Sequence, residues 1–119
     1  ARPFIDGKIV SAVLKEGRRS RAAIAGVPVK ATIKKIAGSK VKTTVDRRDL
    51  WEIQTPQVFE TGALRAAYRK FGKCDVTDDA MLVEKCGIRP AVVSGSYYNI
   101  KVTTPEDLLL AKAIARARR

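Results

Sequence analysis

The chain is expected to fold as a single α/β domain, on three observations. Its 119 residues are one domain's length, and a folded chain of that size hides about two-thirds of the surface it exposes unfolded. Its apolar share of 45% and charged share of 30% are ordinary for a globular protein. Segments of helical period alternate with short β-prone runs. No internal repeat or low-complexity segment interrupts the pattern.

The first element predicted is a helix from Gly7 to Glu16. Asp6 can cap it, Ile9, Ala12 and Val13 form its apolar stripe, and Gly17 is a suitable stop. Arg18 to Arg21 then reads as a basic loop. Ala22 to Val29 is short and apolar, a buried strand that Pro28 ends or bends. Thr32–Ile36 and Val41–Val45 are two β-prone runs around the turn residues Ala37-Gly38-Ser39-Lys40, so they read as a hairpin. Its apolar content is too thin to cover both faces, and an isolated hairpin is marginal in water. It is therefore expected to project and to pack on something, such as a second copy of the chain.

After Leu50–Ile53, Pro56 fits the first helical position behind a Thr55 cap. Gly62–Phe71 is the clearest helix, with Leu64, Ala67, Tyr68 and Phe71 on one face and Gly72 as its stop. Thr77-Asp78-Asp79 caps the next helix, which runs through Cys86 to Gly87. Ala91–Ser94 and Asn99–Thr103 are strand candidates, the second alternating around Lys101. Thr104 caps the last helix and Pro105 begins it. Glu106 and Asp107 suit the N-terminal end of its dipole, and Arg116, Arg118 and Arg119 the other end.

Composition excludes several chemistries. With no His, the chain contains no Ser-His-Asp triad, Cys-His dyad or His-bearing zinc site. Cys74 and Cys86 form no CxxC pattern and read as reduced cytosolic thiols in or near the core. No apolar run is long enough to cross a bilayer, and no secretory leader is visible. The chain opens Ala-Arg-Pro without Met, so it is expected to be processed or to be a piece of a longer protein.

The net charge is +12 and lopsided: residues 1–48 carry +10 and residues 49–119 only +2. Such a field recruits polyanions or phosphorylated small molecules. Aromatic residues are only 6%, and no RNP motif, zinc finger or basic heptad array supports nucleic acid, which is the weaker reading. Neither a GxGxxG nor a Walker A glycine loop is present. What remains is a set of cations and hydroxyls on strand ends and loops: Arg2, Thr32, Arg47, Thr55, Thr77 and Lys101. Arg holds a phosphate with paired hydrogen bonds and Lys as a point charge, a set suited to phosphoryl or nucleotidyl transfer. Plain structural roles compete. From local pattern Thr55 and Thr77 read first as helix caps, and Asp78 and Asp79 as helix N-terminal charges rather than metal ligands, while Arg47 also reads as a hairpin-end charge and Lys101 as the wet face of a strand.

Three phrases go further. They are Leu50-Trp51-Glu52-Ile53-Gln54-Thr55-Pro56-Gln57-Val58-Phe59, Val76-Thr77-Asp78-Asp79-Ala80, and the run from Gly95 to Leu108 that contains Asn99-Ile100-Lys101-Val102-Thr103. With the opening Ala1-Arg2-Pro3, they resemble the C-terminal half of 2-C-methyl-D-erythritol 4-phosphate cytidylyltransferases. The resemblance implies a Rossmann-like nucleotidyltransferase fold with a protruding β-hairpin dimerisation arm. Residues 1–119 would be the C-terminal half of a single cytidylyltransferase domain, with the arm at about residues 30–48. It implies CMP transfer from CTP to methylerythritol phosphate with release of pyrophosphate, a step of the non-mevalonate isoprenoid route, in a cytoplasmic homodimer (a plastid is the eukaryotic alternative).

By the same resemblance Arg47 and Lys101 are the catalytic cations. Arg2, Thr55 and Thr77 contact substrate, and Thr32 and Arg47 reach in from the partner's arm. Magnesium is implied, its main ligand lying in an N-terminal half that this sequence does not contain. The chain alone is therefore expected to be inactive. Two other readings compete: a ribitol-5-phosphate cytidylyltransferase, which shares the Arg-Pro opening and a similar Asn-Ile-Lys stretch, and a non-catalytic basic module for RNA binding or assembly.

Overall fold

A computed structural model describes residues 1–118. The strand β1 (Ala22–Pro28) sits at its centre, with six consecutive buried residues. On one edge β4 (Trp51–Phe59) pairs with it antiparallel, and on the other β5 (Ala91–Ser94) pairs parallel. Small residues allow helices to close on both faces. Ala23 and Ala25 meet Ile9 and Val13 of α1 (Gly7–Ser20), with Val58 and Val93 alongside. One residue away, Ala22 points to the opposite face. There it meets Ala67 of α2 (Thr61–Phe71) and Leu82 and Val83 of α3 (Asp79–Lys85), flanked by Phe59, Leu64 and Phe71.

The first helix differs from expectation. Asp6 caps it, accepting the Lys8 amide at 2.7 Å, but Gly17 does not stop it. The helix takes in Arg18, Arg19 and Ser20 and ends where Arg21 turns left-handed at φ 68°. Gly17 is there for packing: a Cβ at that position would stand 2.8 Å from Cγ1 of Val58. A glycine that allows close approach carries the same sequence signature as a glycine that terminates.

Thr55 caps no helix. The chain from Trp51 to Phe59 is one strand that passes through a cis Thr55–Pro56 peptide. Ile24 pairs with Gln57, yet Gly26 pairs with Ile53, so Gln54, Thr55 and Pro56 bulge out opposite Ala25. Bulges of this kind re-aim side chains and recur beside active sites.

In the following helices, Asp78 rather than Thr77 caps α3, accepting the Met81 amide at 3.0 Å. Gly72 follows α2, and Gly87 turns at φ 83° after α3. Cys74 and Cys86 are free and exposed, not in the core, because each sits just past a helix end.

The segment Asn99–Thr103 forms no strand. Its partner is a single residue: the Val102 amide donates to the Ala1 carbonyl at 2.7 Å, and the Ala1 amino group donates back to Val102 at 3.3 Å. It leads into α4 (Pro105–Ala117), where Thr104 and Asp107 form a reciprocal capping box. Three donors on the Asp107 carboxylate, the Thr103 and Thr104 amides foremost, hold its pKa down at about 2. Arg116 lies in the last turn and Arg118 caps it, while Arg119 lies outside the described residues.

The hairpin forms a separate two-stranded sheet, β2 (Ile33–Ala37) and β3 (Lys40–Val45). Ile33 faces Val45 and Ile36 faces Val41, and only Val45 is even half-buried. Its base is tied to the body. The Tyr97 hydroxyl donates to the Pro28 carbonyl at 2.7 Å, the Lys30 ammonium lies 3.6 Å above the Tyr97 ring, and the Arg47 guanidinium donates to the Lys30 carbonyl.

Candidate active site

An open cavity of about 510 Å³ lies where the β4 bulge, the N-terminal segment and the segment after β5 converge. The bulge supplies Gln54, Thr55 and, just beyond it, Gln57. The N-terminal segment supplies Arg2, held beside Val102 by the Ala1 pairing, and the segment after β5 supplies Lys101. Thr77 and Asp78 close the far wall from the start of α3.

Four of the six residues singled out from sequence are therefore gathered in one place: Arg2, Thr55, Thr77 and Lys101. The other two are not. Thr32 and Arg47 are exposed near the base of the hairpin and line no part of this cavity in the single chain.

The charge balance of the cavity is uneven. Among the described residues the ion pairs are Arg19–Glu16, Arg21–Glu60 and Arg48–Asp46, and none involves Arg2 or Lys101. Arg2 is half-buried and donates only to main-chain carbonyls, to Asn99 and, at 3.4 Å, to Ile53. Burial pushes its pKa below the usual arginine value, although a guanidinium keeps its proton in proteins. An anion entering the cavity meets one half-buried cation and one exposed one, with hydroxyls nearby.

The single carboxylate of the cavity is occupied. One oxygen of Asp78 caps α3, and the other accepts from Gln57 Nε2 at 2.9 Å. Among the described residues no group of three His, Cys, Asp or Glu side chains could hold a metal ion. With both oxygens of its one carboxylate already engaged, the cavity's own residues do not by themselves make a magnesium site.

Sequence reasoning missed the amides. Gln54 is buried at 6% exposure and Asn99 at 0%. Only the odd placement of polar side chains among Ile53, Ile100 and Val102 marked them, since amides in short motifs have no distinctive spacing.

Comparison with known proteins decides the family. Residues 1–117 match the family model described as 2-C-methyl-D-erythritol 4-phosphate cytidylyltransferase. The chain belongs to this family. A member from Bacillus cereus is 47% identical over 121 residues, covering 100% of this chain and 54% of its own length. One from Halalkalibacterium halodurans is 45% identical over 116 residues, covering 96% and 51%. The crystal structure of the Thermus thermophilus enzyme of the same name superposes with a TM-score of 0.89 at 38% identity, over 98% of this chain and 58% of that one. That of Francisella tularensis gives 0.87 at 32% identity, over 96% and 55%. The chain spans about half the length of the curated relatives it matches. The mixed α/β architecture is thus that of the family's solved structures. No described helix is long and apolar enough to cross a membrane.

Proposed function

We propose that this chain supplies the methylerythritol phosphate side of a cytidylyltransferase that moves CMP from CTP to 2-C-methyl-D-erythritol 4-phosphate. One observation carries the reading: two cations without carboxylate partners, Arg2 and Lys101, share a cavity with Thr55 and Thr77. In the reaction, an oxygen of the sugar phosphate attacks the α-phosphorus of CTP. A new P–O bond forms, the bond to the β-phosphate breaks, and pyrophosphate leaves with that electron pair. Catalysis of this kind is mostly positioning and charge neutralisation. Lys101 and Arg47 hold the attacking phosphate, Arg2 steadies it from the buried wall, and Thr55 and Thr77 donate to substrate oxygens.

Arg47 and Thr32 enter this reading from a second copy. The hairpin keeps Ile33, Ile36 and Val41 in water, so a homodimer that covers them is favoured. Magnesium and the CTP contacts are assigned to residues other than these. Two exposed, unpaired thiols suit a reducing cytosol. The ribitol phosphate and RNA readings are not favoured, since the family model and both relatives carry the methylerythritol name.

Fused behind the N-terminal half of the Bacillus cereus relative, the chain is expected to release pyrophosphate from CTP when methylerythritol phosphate is added. Release driven equally well by ribitol 5-phosphate, or none with either sugar phosphate, would overturn the proposal.

A further inference from the structure

Three separate pieces of chain make the cavity: the N-terminal segment, the β4 bulge and the segment between β5 and α4. None of them is held in place by regular structure. A bulge has left its ladder, and the one main-chain pairing between the other two is that of Ala1 with Val102. Something else must fix Arg2, Thr55 and Lys101 relative to one another.

Two buried amides are placed to do so. The Asn99 side chain, at 0% exposure, donates to the Thr55 carbonyl at 2.8 Å and to Gln54 Oε1 at 3.2 Å. Its main-chain carbonyl accepts from the Arg2 guanidinium, and its amide donates to Ser96 at 2.9 Å. Gln54 completes the link. Its Nε2 donates to the Ser96 carbonyl at 2.8 Å, and its Oε1 accepts the Ser96 amide at 3.3 Å. One residue thus touches all three segments, and Lys101 follows it by two positions.

The orientation of both amides is fixed by their neighbours. Turning Asn99 over would aim Oδ1 at two acceptor oxygens, and turning Gln54 over would oppose donor to donor on the Ser96 peptide. Gly95 permits the approach, because a Cβ there would lie 2.3 Å from Gln54 Oε1. The Asn99 Oδ1 is left buried with no partner, a cost tolerated where the donors are needed.

We propose that Asn99 is a positioning residue for the phosphate site. Through its side-chain amide on the β4 bulge and its main-chain carbonyl on Arg2, with Gln54 as second anchor, it sets the separation of Arg2, Thr55 and Lys101. This deepens the proposed function and rests on it for the identity of the ligand.

The test uses Asn99→Asp, which keeps shape and removes the donor only while ionised. Arg2, Lys101, Glu52 and Asp107 share the smaller cavity that Asn99 lines and are the charged groups facing the substitution. Calorimetric titration of the chain with methylerythritol phosphate is compared with wild type at pH 9 and pH 5.5. Binding by N99D is expected to weaken about tenfold at pH 9 and to recover most of that at pH 5.5, because full burial at this position raises a carboxyl's pKa and the protonated acid can again donate to Thr55. Amide hydrogen exchange of residues 96–101, measured without ligand, is expected to accelerate in N99D at pH 9 relative to wild type. Unchanged exchange with wild-type affinity at both pH values would overturn the proposal, as would a loss of equal size at both. If wild type fails to bind but N99D still loosens residues 96–101, the substrate assignment falls and the positioning role stands.

Discussion

The body and the hairpin use the same β-prone residue types to opposite ends. In the body, β1 carries six consecutive small or branched residues that are buried, and it is paired on both edges. In the hairpin, β2 and β3 pair only with each other, and Ile33, Ile36 and Val41 of their cross-strand pairs face water, with Val45 half-buried. The first arrangement is stabilised by burial within the chain. The second has little burial to draw on, since its apolar pairs each contribute well under about 1 kcal/mol through contact alone. The difference teaches that the hairpin's sequence is not explained by the fold of one copy. Its basic side chains and apolar pairs make sense as a surface meant for another molecule.

Matched truncations sharpen the contrast. Leu82, 1% exposed, packs with Val83 and Ala67 beneath the sheet. Leu82→Ala is expected to lower unfolding stability by about 3 kcal/mol, read by urea denaturation at unchanged oligomeric state. The double change Ile36→Thr and Val41→Thr removes comparable apolar surface from the hairpin. It is expected to move the stability of the isolated chain by no more than about 0.5 kcal/mol while weakening self-association, read by sedimentation equilibrium. A large loss of monomer stability from the hairpin pair would break the comparison.

Much of this division was legible in the sequence. The hairpin, the Gly62–Phe71 helix and the Thr104 cap are local patterns that survive folding, although Tyr68, placed on that helix's apolar face, is half exposed. The errors came where tertiary contacts reuse a local signal. Gly17 carries the mark of a helix stop but serves the close approach of α1 to Val58. Thr55-Pro56 carries the mark of a helix start but lies within a bulged strand whose partner is more than 25 residues away along the chain. Asn99–Thr103 alternates like a strand yet finds one pairing residue, Ala1.

The site divided in the same way. Arg2, Thr55, Thr77 and Lys101 were identified as types suited to phosphate, and the fold gathers them. The amides that fix their spacing, Gln54 and Asn99, show their role only through long-range hydrogen bonds. Arg47 and Thr32 stay outside the single-chain cavity, so the role proposed for them depends wholly on a neighbour.

That dependence can be measured by mixing two defective chains. Lys101→Met removes the cation within the cavity, and Arg47→Ala removes the one on the hairpin. Each variant alone is expected to bind methylerythritol phosphate poorly in calorimetry. After subunit exchange, mixed dimers contain one cavity with an intact Lys101 that faces an intact Arg47 from the other copy, so part of the wild-type binding should return. A mixture that binds no better than the two variants measured separately would show that the hairpin does not complete its neighbour's site, and the account would fail at its centre.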